Sequence, residues 1–371
     1  MPTIDELQAN SDNLKNTYKP ILLRKIDPAD RQALENLHSQ NQISFISDQL
    51  DSQLKELIKL RHPGQKLTDH ESKDLITRHL QGNSIDDYGV WVYYPWNQSL
   101  VHLLDEKEFV EVRTNRNQHK ITSQELLALS RKKIGIAGLS VGHSIALTLA
   151  TERTCGELRL ADFDDLELSN LNRIRSTVLN LGLPKVILAA REIAEIDPFI
   201  KVTIFPEGLQ ESNMDKFFME DGPLDLFVEV CDSLDIKINS RMKARTLKIP
   251  VVMDTNDRGM LDIERFDLEP ERGLFHGLLE SFLNADGSIT LTEENRRAIL
   301  MALVSFESLS DRMKFSMTEI GKSITTWPQL ASSVVLGGAI TTDISRRILL
   351  GEHSVSGRYY VDLDAIFGDE R

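Results

Sequence analysis

The sequence predicts an α/β protein: a doubly wound, mostly parallel sheet continued by antiparallel strands, with an α+β module ahead of it. Three observations carry this expectation. From about residue 121, short apolar runs alternate with helical patterns, the order that places helices on both faces of parallel strands. A glycine turn, GLSVGH from Gly138 to His143, joins the first of these runs to the first of these helices. With 371 residues, 41% of them hydrophobic, the chain is long enough to bury a substantial core.

Residues 1 to about 120 form the expected α+β module, and their own chemistry is not legible. Arg31 to Leu60 carries helical spacing, with Leu34, Leu37, Ile43, Ile46, Leu50, Leu54 and Ile58 as core positions. Pro63-Gly64 ends that pattern. YGVWVYYPW and EFVEVRT are rich in aromatic and β-branched residues and read as two strands, separated by the turn-prone Asn97-Gln98-Ser99.

Residues 121 to 371 form the second expected domain. Strands are predicted at Ile134–Ala137, Glu157–Phe163, Val202–Phe205, Asp225–Val230 and Val251–Asp254. Helices are predicted at Ser144–Ala150, Pro184–Ile196 and Ile236–Leu247. In the second of these, Val186, Ala189, Ala190 and Ile193 share one face, and Pro184 stands in the first turn. The alternation is Rossmann-like, so ligands are expected beyond the carboxyl ends of the strands. Two antiparallel strands are expected around Gly259–Phe266, then an insertion or helical excursion over Asn284–Arg297. TWPQLASSVVLGGAITTDISRRILLGE reads as a long helix whose small residues allow close packing, and SGRYYVDLDAI as a closing strand.

Bulk properties narrow the function. Acids outnumber bases 57 to 43, for a formal charge of -14, which argues against a general nucleic-acid binder. Cys155 and Cys231 are the only cysteines, too few for a disulfide framework or a paired Cys-x-x-Cys zinc site. MPTIDELQAN lacks the pattern of a signal peptide, and no apolar run approaches the ~20 residues of a membrane helix. A reduced, cytoplasmic protein with no membrane association is expected.

The candidate site begins at the glycine turn, where Gly138 and Gly142 flank Ser140 and the third glycine place is taken by His143. Backbone N–H groups at such a turn can hold phosphate. Asp162 closes the second strand at the distance where a carboxylate meets ribose hydroxyls. The segment ADFDDLELSNLNR then continues with Asp164, Asn170 and Arg173. Lys185 lies in the first turn of its helix, where a cation is disfavoured by ~0.3–1 kcal/mol unless an anion shares the place. Asp232 follows an apolar strand, a position suited to a metal-bound nucleotide. Each piece alone has a plainer explanation: a ligand-free turn, a capped polar loop, an exposed lysine, a helix N-cap.

Together these pieces resemble the ThiF/MoeB-type adenylyltransferases and the ubiquitin-activating enzymes, from about Arg113 to the C-terminus. The most specific stretch is D-x-D-x-x-x-x-S-N-L-x-R, met by Asp162, Asp164, Ser169, Asn170, Leu171 and Arg173, followed by Gly182, Pro184 and Lys185. The resemblance implies ATP as substrate, with Asp162 on the ribose, Asn170, Arg173 and Lys185 on the phosphates, and Asp232 serving Mg²⁺. It also implies a homodimer in which an arginine before the first strand reaches the partner's ATP. RTNRNQ makes Arg116 the candidate, although Thr114 replaces the family's Tyr and Asn117 is an extra residue.

The family's zinc-binding Cys-x-x-Cys pairs and its acyl-accepting cysteine are absent. Cys231 is expected to be a buried small residue, and Cys155 to lie in a helix-to-strand connection where exposure is open to it. The altered glycine loop is similar to that of a bacterial branch whose members are sometimes joined to a nitroreductase-like domain; none is visible in this chain. The expected activity is ATP·Mg²⁺-dependent adenylation of a carboxylate on a protein tail, peptide or small acid, passed directly to an acceptor. The alternatives are a silent nucleotide-binding or partner module of the same fold, and an NAD-dependent oxidoreductase. The last leaves Asn170, Arg173, Lys185 and Asp232 unexplained.

Overall fold

The computed structural model describes residues 14–285 and 287–368, so the N-terminal stretch MPTIDELQAN lies outside the described residues. The chain divides into two compact units. One runs to Gln124 and takes back Ala194–Phe199; the other holds Glu125–Ile193 and Ile200 onward.

The first unit is built as β1 (Ile21–Leu23), α1 (Pro28–Ser39), β2 (Phe45–Asp48), α2 (Leu50–Arg61), α3 (Asp69–Leu80), β3 (Val90–Tyr94), β4 (Ser99–Leu103) and α4 (Glu106–Arg113). Its four strands lie in the order β1-β3-β4-β2, with only the β2–β4 pair parallel. Every residue of β3 is buried, because both sheet faces are covered. Trp91 and Tyr93 pack with Leu23 and Leu34 on one face, and Val90, Val92 and Tyr94 with Ala194 on the other.

Two expectations fail here. Arg31 to Leu60 is not one helical stretch: Asn41 takes a left-handed φ of 52°, and Phe45–Asp48 pairs with β4. Ile46 is consequently 54% exposed rather than core. EFVEVRT is helical, and the strand that follows the turn is Ser99–Leu103 instead. The Asp105 carboxylate caps this helix by accepting the Glu106 N–H at 2.7 Å, and Phe109 and Val112, three apart, pack on the Leu50–Leu54–Leu57 cluster. A good cap and a waiting apolar surface outweigh the β preference of the residues. The Pro63-Gly64 breaker does end α2, at Arg61, with Gly64 at φ 88°.

The second unit contains α5 (Ser123–Leu129, which starts just before the dividing point), β5 (Lys133–Ala137), α6 (Gly142–Glu152), β6 (Glu157–Ala161), α7 (Lys185–Ile196), β7 (Lys201–Phe205), α8 (Glu211–Met219), β8 (Leu226–Glu229) and α9 (Leu234–Thr246). Then come β9 (Val251–Thr255), β10 (Met260–Glu264), α10 (Glu293–Val304), α11 (Asp311–Glu319), α12 (Ala331–Leu349), β11 (Gly357–Tyr360) and α13 (Leu363–Phe367). The seven-stranded sheet has the order β11-β10-β9-β8-β5-β6-β7. From β7 to β9 the strands are parallel, and β10 and β11 add on antiparallel, so the α/β expectation holds. Among the described residues no helix is long and apolar enough to cross a membrane.

The order of the strands locates the ligand crevice. From β5 the chain moves outward through β6 to β7, then returns to place β8 on the other side of β5. The carboxyl ends of β5 and β8 therefore flank a topological switch point. Behind it, α12 presses on α6: Gly337, Gly338, Thr341, Thr342 and Ser345 are buried, and a Cβ on Gly338 would stand 2.5 Å from Ser144 Oγ. The expected face of α7, Val186, Ala189, Ala190 and Ile193, is fully packed. Gly259–Phe266 yields one strand rather than two; its antiparallel partners are β9 and the terminal β11. Asn284–Arg297 runs irregularly into α10, whose start is fixed by a capping box between Thr292 and Asn295.

Candidate functional site

Gly138 leaves β5 with φ 93°, and its N–H donates to Ala161 O at 2.8 Å. A Cβ there would stand 2.5 Å from Val230 O, so the turn after β5 and the turn after β8 touch only because residue 138 is glycine. Gly142 opens α6, and a Cβ on it would meet Ile136 Cγ2 at 2.9 Å. His143, where a third glycine was expected, is accommodated in the interior with its ring beside Glu192 of α7. It is 1% exposed, with Nε2 2.8 Å from Glu192 Oε2 but without the alignment of a hydrogen bond.

Asp162, just past β6, is tied to this turn. Its Oδ2 accepts the Leu139 N–H at 2.5 Å and its Oδ1 the Asp164 N–H at 2.8 Å. Burial raises its carboxyl above the ordinary range, and the Asp164 N–H and the Lys185 charge oppose that rise. Each oxygen keeps a further lone pair for a ligand hydroxyl. Asp164 and Lys185 hold each other twice: Lys185 Nζ donates to Asp164 Oδ2 at 2.7 Å, and Lys185 N–H to Asp164 O at 2.9 Å. The anion that a cation at this helix start calls for is thus a carboxylate of the chain itself.

Arg173 reaches the turn directly, its Nε donating to Ser140 Oγ at 3.0 Å and its Nη1 to Asn172 Oδ1 at 2.9 Å. Burial lowers its pKa and the Asp232 charge acts against that. Asp232 itself is exposed on the turn after β8. Asn170 is buried, and its Oδ1 accepts the Glu167 N–H at 3.0 Å to cap the short 3-10 turn Leu168–Asn172. Arg116 lies in the first unit, exposed on the 3-10 turn Asn115–Asn117.

Neither cysteine is placed to be a nucleophile. Cys155, in the short connection between α6 and β6, is fully buried rather than accessible. Cys231 Sγ donates to Glu229 Oε1 at 3.3 Å, and burial with that carboxylate pushes its thiol far above the ordinary value.

Next to the turn is a cavity of about 200 Å³ that the sequence did not reveal, with Val141 and Asp232 in its lining. Asp254, the last residue of a predicted strand and otherwise unremarked, is 4% exposed there, and burial pushes its carboxyl up to about 7. Also unforeseen is an ion network below it. Glu229 is fully buried and accepts from Lys237 Nζ at 2.8 and 2.9 Å, while Arg241 bridges Asp262 and Glu264 and lies 4.0 Å over the Phe275 ring. The only hint in the sequence is the charge interrupting LDIERF on an otherwise apolar strand.

A single Asp232 carboxylate fits Mg²⁺ only when substrate phosphates complete its shell. Among the described residues no cluster of three or more His, Cys, Asp or Glu side chains could hold a metal by itself.

The model of the ThiF family matches residues 113–276. An uncharacterised protein of Mycobacterium tuberculosis (strain CDC 1551 / Oshkosh) is 41% identical over 345 residues, 93% of this chain and 45% of that protein. The chain thus spans less than half the length of that relative. The tRNA threonylcarbamoyladenosine dehydratase of Bacillus subtilis (strain 168) is 21% identical over 63% of this chain and 95% of its own. Among solved structures, the E. coli tRNA N6-threonylcarbamoyladenosine dehydratase in complex with AMP is 18% identical, with a TM-score of 0.47 over 65% of this chain and 96% of its own.

Proposed function

This chain belongs to the ThiF family, and from that premise we propose that it binds ATP with Mg²⁺ and adenylates a carboxylate. The observation that carries this reading is the convergence at the switch point. The Gly138 turn and Asp232 lie on the two turns that flank it, and Asp162 and Arg173, from the segment after β6, bond to the first of these at the Leu139 N–H and Ser140 Oγ.

In this reaction a carboxylate oxygen attacks the α-phosphorus of ATP, and the bond to pyrophosphate breaks. The protein's task is to align the groups and neutralise developing charge. Asp162 accepts from the ribose hydroxyls, the N–H groups of the turn beyond Leu139 face the phosphates, and Asn170, Arg173 and Lys185 supply donors, with Asp164 steering Lys185. Mg²⁺ on Asp232 would offset phosphate charge. With both thiols withdrawn, the acyl group passes directly to its acceptor. The working unit is a homodimer in which Arg116 completes the partner's site, and a chain whose two cysteines form no disulfide framework supports placing it in the cytoplasm.

ATP–pyrophosphate exchange, run against small acids, peptides and carrier-protein tails, tests the proposal. Exchange stimulated by one acid class is expected; none with any class overturns it. One observation favours a second reading, a silent nucleotide-binding module: Lys185 is already neutralised by Asp164. That reading predicts ATP binding without exchange. An NAD-dependent oxidoreductase would instead be stabilised by NAD and not by ATP·Mg²⁺ in a thermal-shift titration. The tRNA substrate in one relative's name is not transferred, since the chain's charge of -14 offers no general footing for a polyanion.

A further inference from the structure

The cavity beside the glycine turn has an unusual balance of donors and acceptors. Both oxygens of Asp254 and the Oδ1 of Asn256 are buried and accept from no group among the described residues. Gly337 of α12 makes room for that carboxylate, since any Cβ there would collide with Asp254 Oδ2. The other charged groups on the wall are occupied or remote from this need. Lys237, the only cation on the wall among the described residues, spends its ammonium on Glu229, and Asp257 accepts from the Ser310 N–H at 2.8 Å and Oγ at 2.6 Å. Asp232 adds a third negative charge. The lining also includes Leu300, Val304, Met313, Met317 and Trp327, an apolar and adaptable set of side chains.

Buried acceptors without donors cost free energy until a ligand supplies the donors. A carboxylate brought here would meet Asp254 and Asp232 with no free cation on the wall to receive it, so the acid being activated does not fill this cavity. We propose that the cavity is the subsite of the nucleophile, a primary amine on a compact apolar body, whose N–H groups donate to Asp254 and Asn256. The apolar body rests on the Leu300–Met317–Trp327 surface, and the wall shared with Val141 and Asp232 sets the nitrogen beside the nucleotide crevice.

The identity of the reaction rests on the adenylation reading; the binding of an amine does not. An ammonium group bound here gives one proton to solvent to become the neutral nucleophile. Its nitrogen attacks the acyl carbon of the acyl-adenylate, the C–N bond forms, and the C–O bond breaks with its electron pair leaving on AMP. The proton that the new amide nitrogen sheds passes to the Asp254 carboxylate. The product class is an amide.

The test is isothermal titration of the full chain, without nucleotide and at mildly alkaline pH, with n-pentylamine, n-pentanol and pentanoate. Pentylamine is expected to bind, Asp254→Asn to weaken it at least about tenfold, and Leu300→Trp, which fills the cavity, to abolish it. Absence of pentylamine binding, pentanol or pentanoate binding as tightly, or unchanged affinity in Asp254→Asn overturns the proposal. If Asp254→Asn does not fold, pentylamine binding retained by Leu300→Trp overturns it equally. Amine binding without ATP–pyrophosphate exchange sinks the adenylation reading alone; exchange without amine binding sinks this one alone.

Discussion

The Nε of Arg173 donates to Ser140 Oγ at 3.0 Å, joining the segment after β6 to the middle of the glycine turn. The hydroxyl at 140 thus does work that a glycine could not: it accepts from a guanidinium and ties it to the turn. Arg173→Ala is expected to lower the ATP–pyrophosphate exchange rate by about 10²-fold or more, since it removes a charge acting on the transition state. Ser140→Ala removes only this contact and should cost about three- to tenfold, a loss on the scale of one neutral hydrogen bond. Equal losses in the two variants would show that the charge of Arg173 contributes nothing beyond its hold on the turn.

Lys185 poses a sharper question because Asp164 already pairs with it at 2.7 Å. A phosphate that recruits this lysine must share it with a half-exposed carboxylate. Lys185→Ala is expected to weaken ATP binding about tenfold, ~1.4 kcal/mol, measured by calorimetry. Asp164→Asn keeps the hydrogen-bonding shape while freeing the ammonium. If Asp164 only steers Lys185, that variant binds ATP as well as the parent or better. A Lys185→Ala protein with unaltered affinity would remove the lysine from the site.

The strand-turn-helix of β5 and α6 was legible because its signals are local: an apolar run, Gly138, then small and apolar residues at helical spacing. Asp162 was legible for the same reason, as the polar end of a strand. What escaped was decided by distant parts of the chain. The segment Glu106–Arg113 carries β-branched residues yet folds as a helix, because the Asp105 cap and the α2 surface select that form. β10 finds β11 across most of the α-helical C-terminal segment, which no window of sequence could reveal. The cavity around Asp254 needs β9, α10 and α11 at once, so no spacing rule announces it. His143 stands where a glycine was expected, and the neighbour it meets, Glu192, comes from α7, far along the chain.

The glycine turn makes a stability prediction independent of any ligand. Residue 138 needs φ 93°, and a methyl group there would press into Val230 O. Gly138→Ala should therefore cost about 1–3 kcal/mol or more, and separate the turns after β5 and β8. Urea unfolding would read the first effect and loss of ATP binding the second. Gly182→Ala makes a useful comparison: it shares the positive φ, at 79°, but a Cβ there meets nothing within 4 Å. Its stability loss should be the smaller of the two. A reversed order would mean that the contact with Val230 is not what requires glycine.

Asp254 predicts a pH dependence of opposite sign to that of an ordinary paired carboxylate. Burial pushes its carboxyl up to about 7, whereas unfolding returns it to about 3.9. Between those values the folded chain holds a proton that the unfolded chain releases. This group's contribution to stability therefore falls as pH rises from about 4 to 7 and stays low above that. Asp254→Asn removes the penalty. It should raise Tm relative to the parent at about pH 8, corresponding to roughly 1–4 kcal/mol, and the gain should vanish towards about pH 4. A gain of the same size at both ends would mean that the carboxylate is ionised throughout.

Arg116 tests whether the proposed site is completed by a second copy of the chain. It sits on the turn after α4, outside the unit that carries Asp162, Arg173 and Asp232. If it serves the partner's nucleotide, Arg116→Ala and Asp232→Ala each disable a different half of a shared site. Mixing the two proteins lets subunits exchange, and one site of each mixed dimer then recovers both residues. About a quarter of parental exchange activity is expected at equal mixing, because half the dimers are mixed and each has one whole site. An arginine acting within its own chain predicts the reverse, since in mixed dimers every site then lacks one residue. Complementation with subunit exchange shown by mass photometry or native electrophoresis distinguishes these outcomes, and failure under those conditions removes Arg116 from the partner's site.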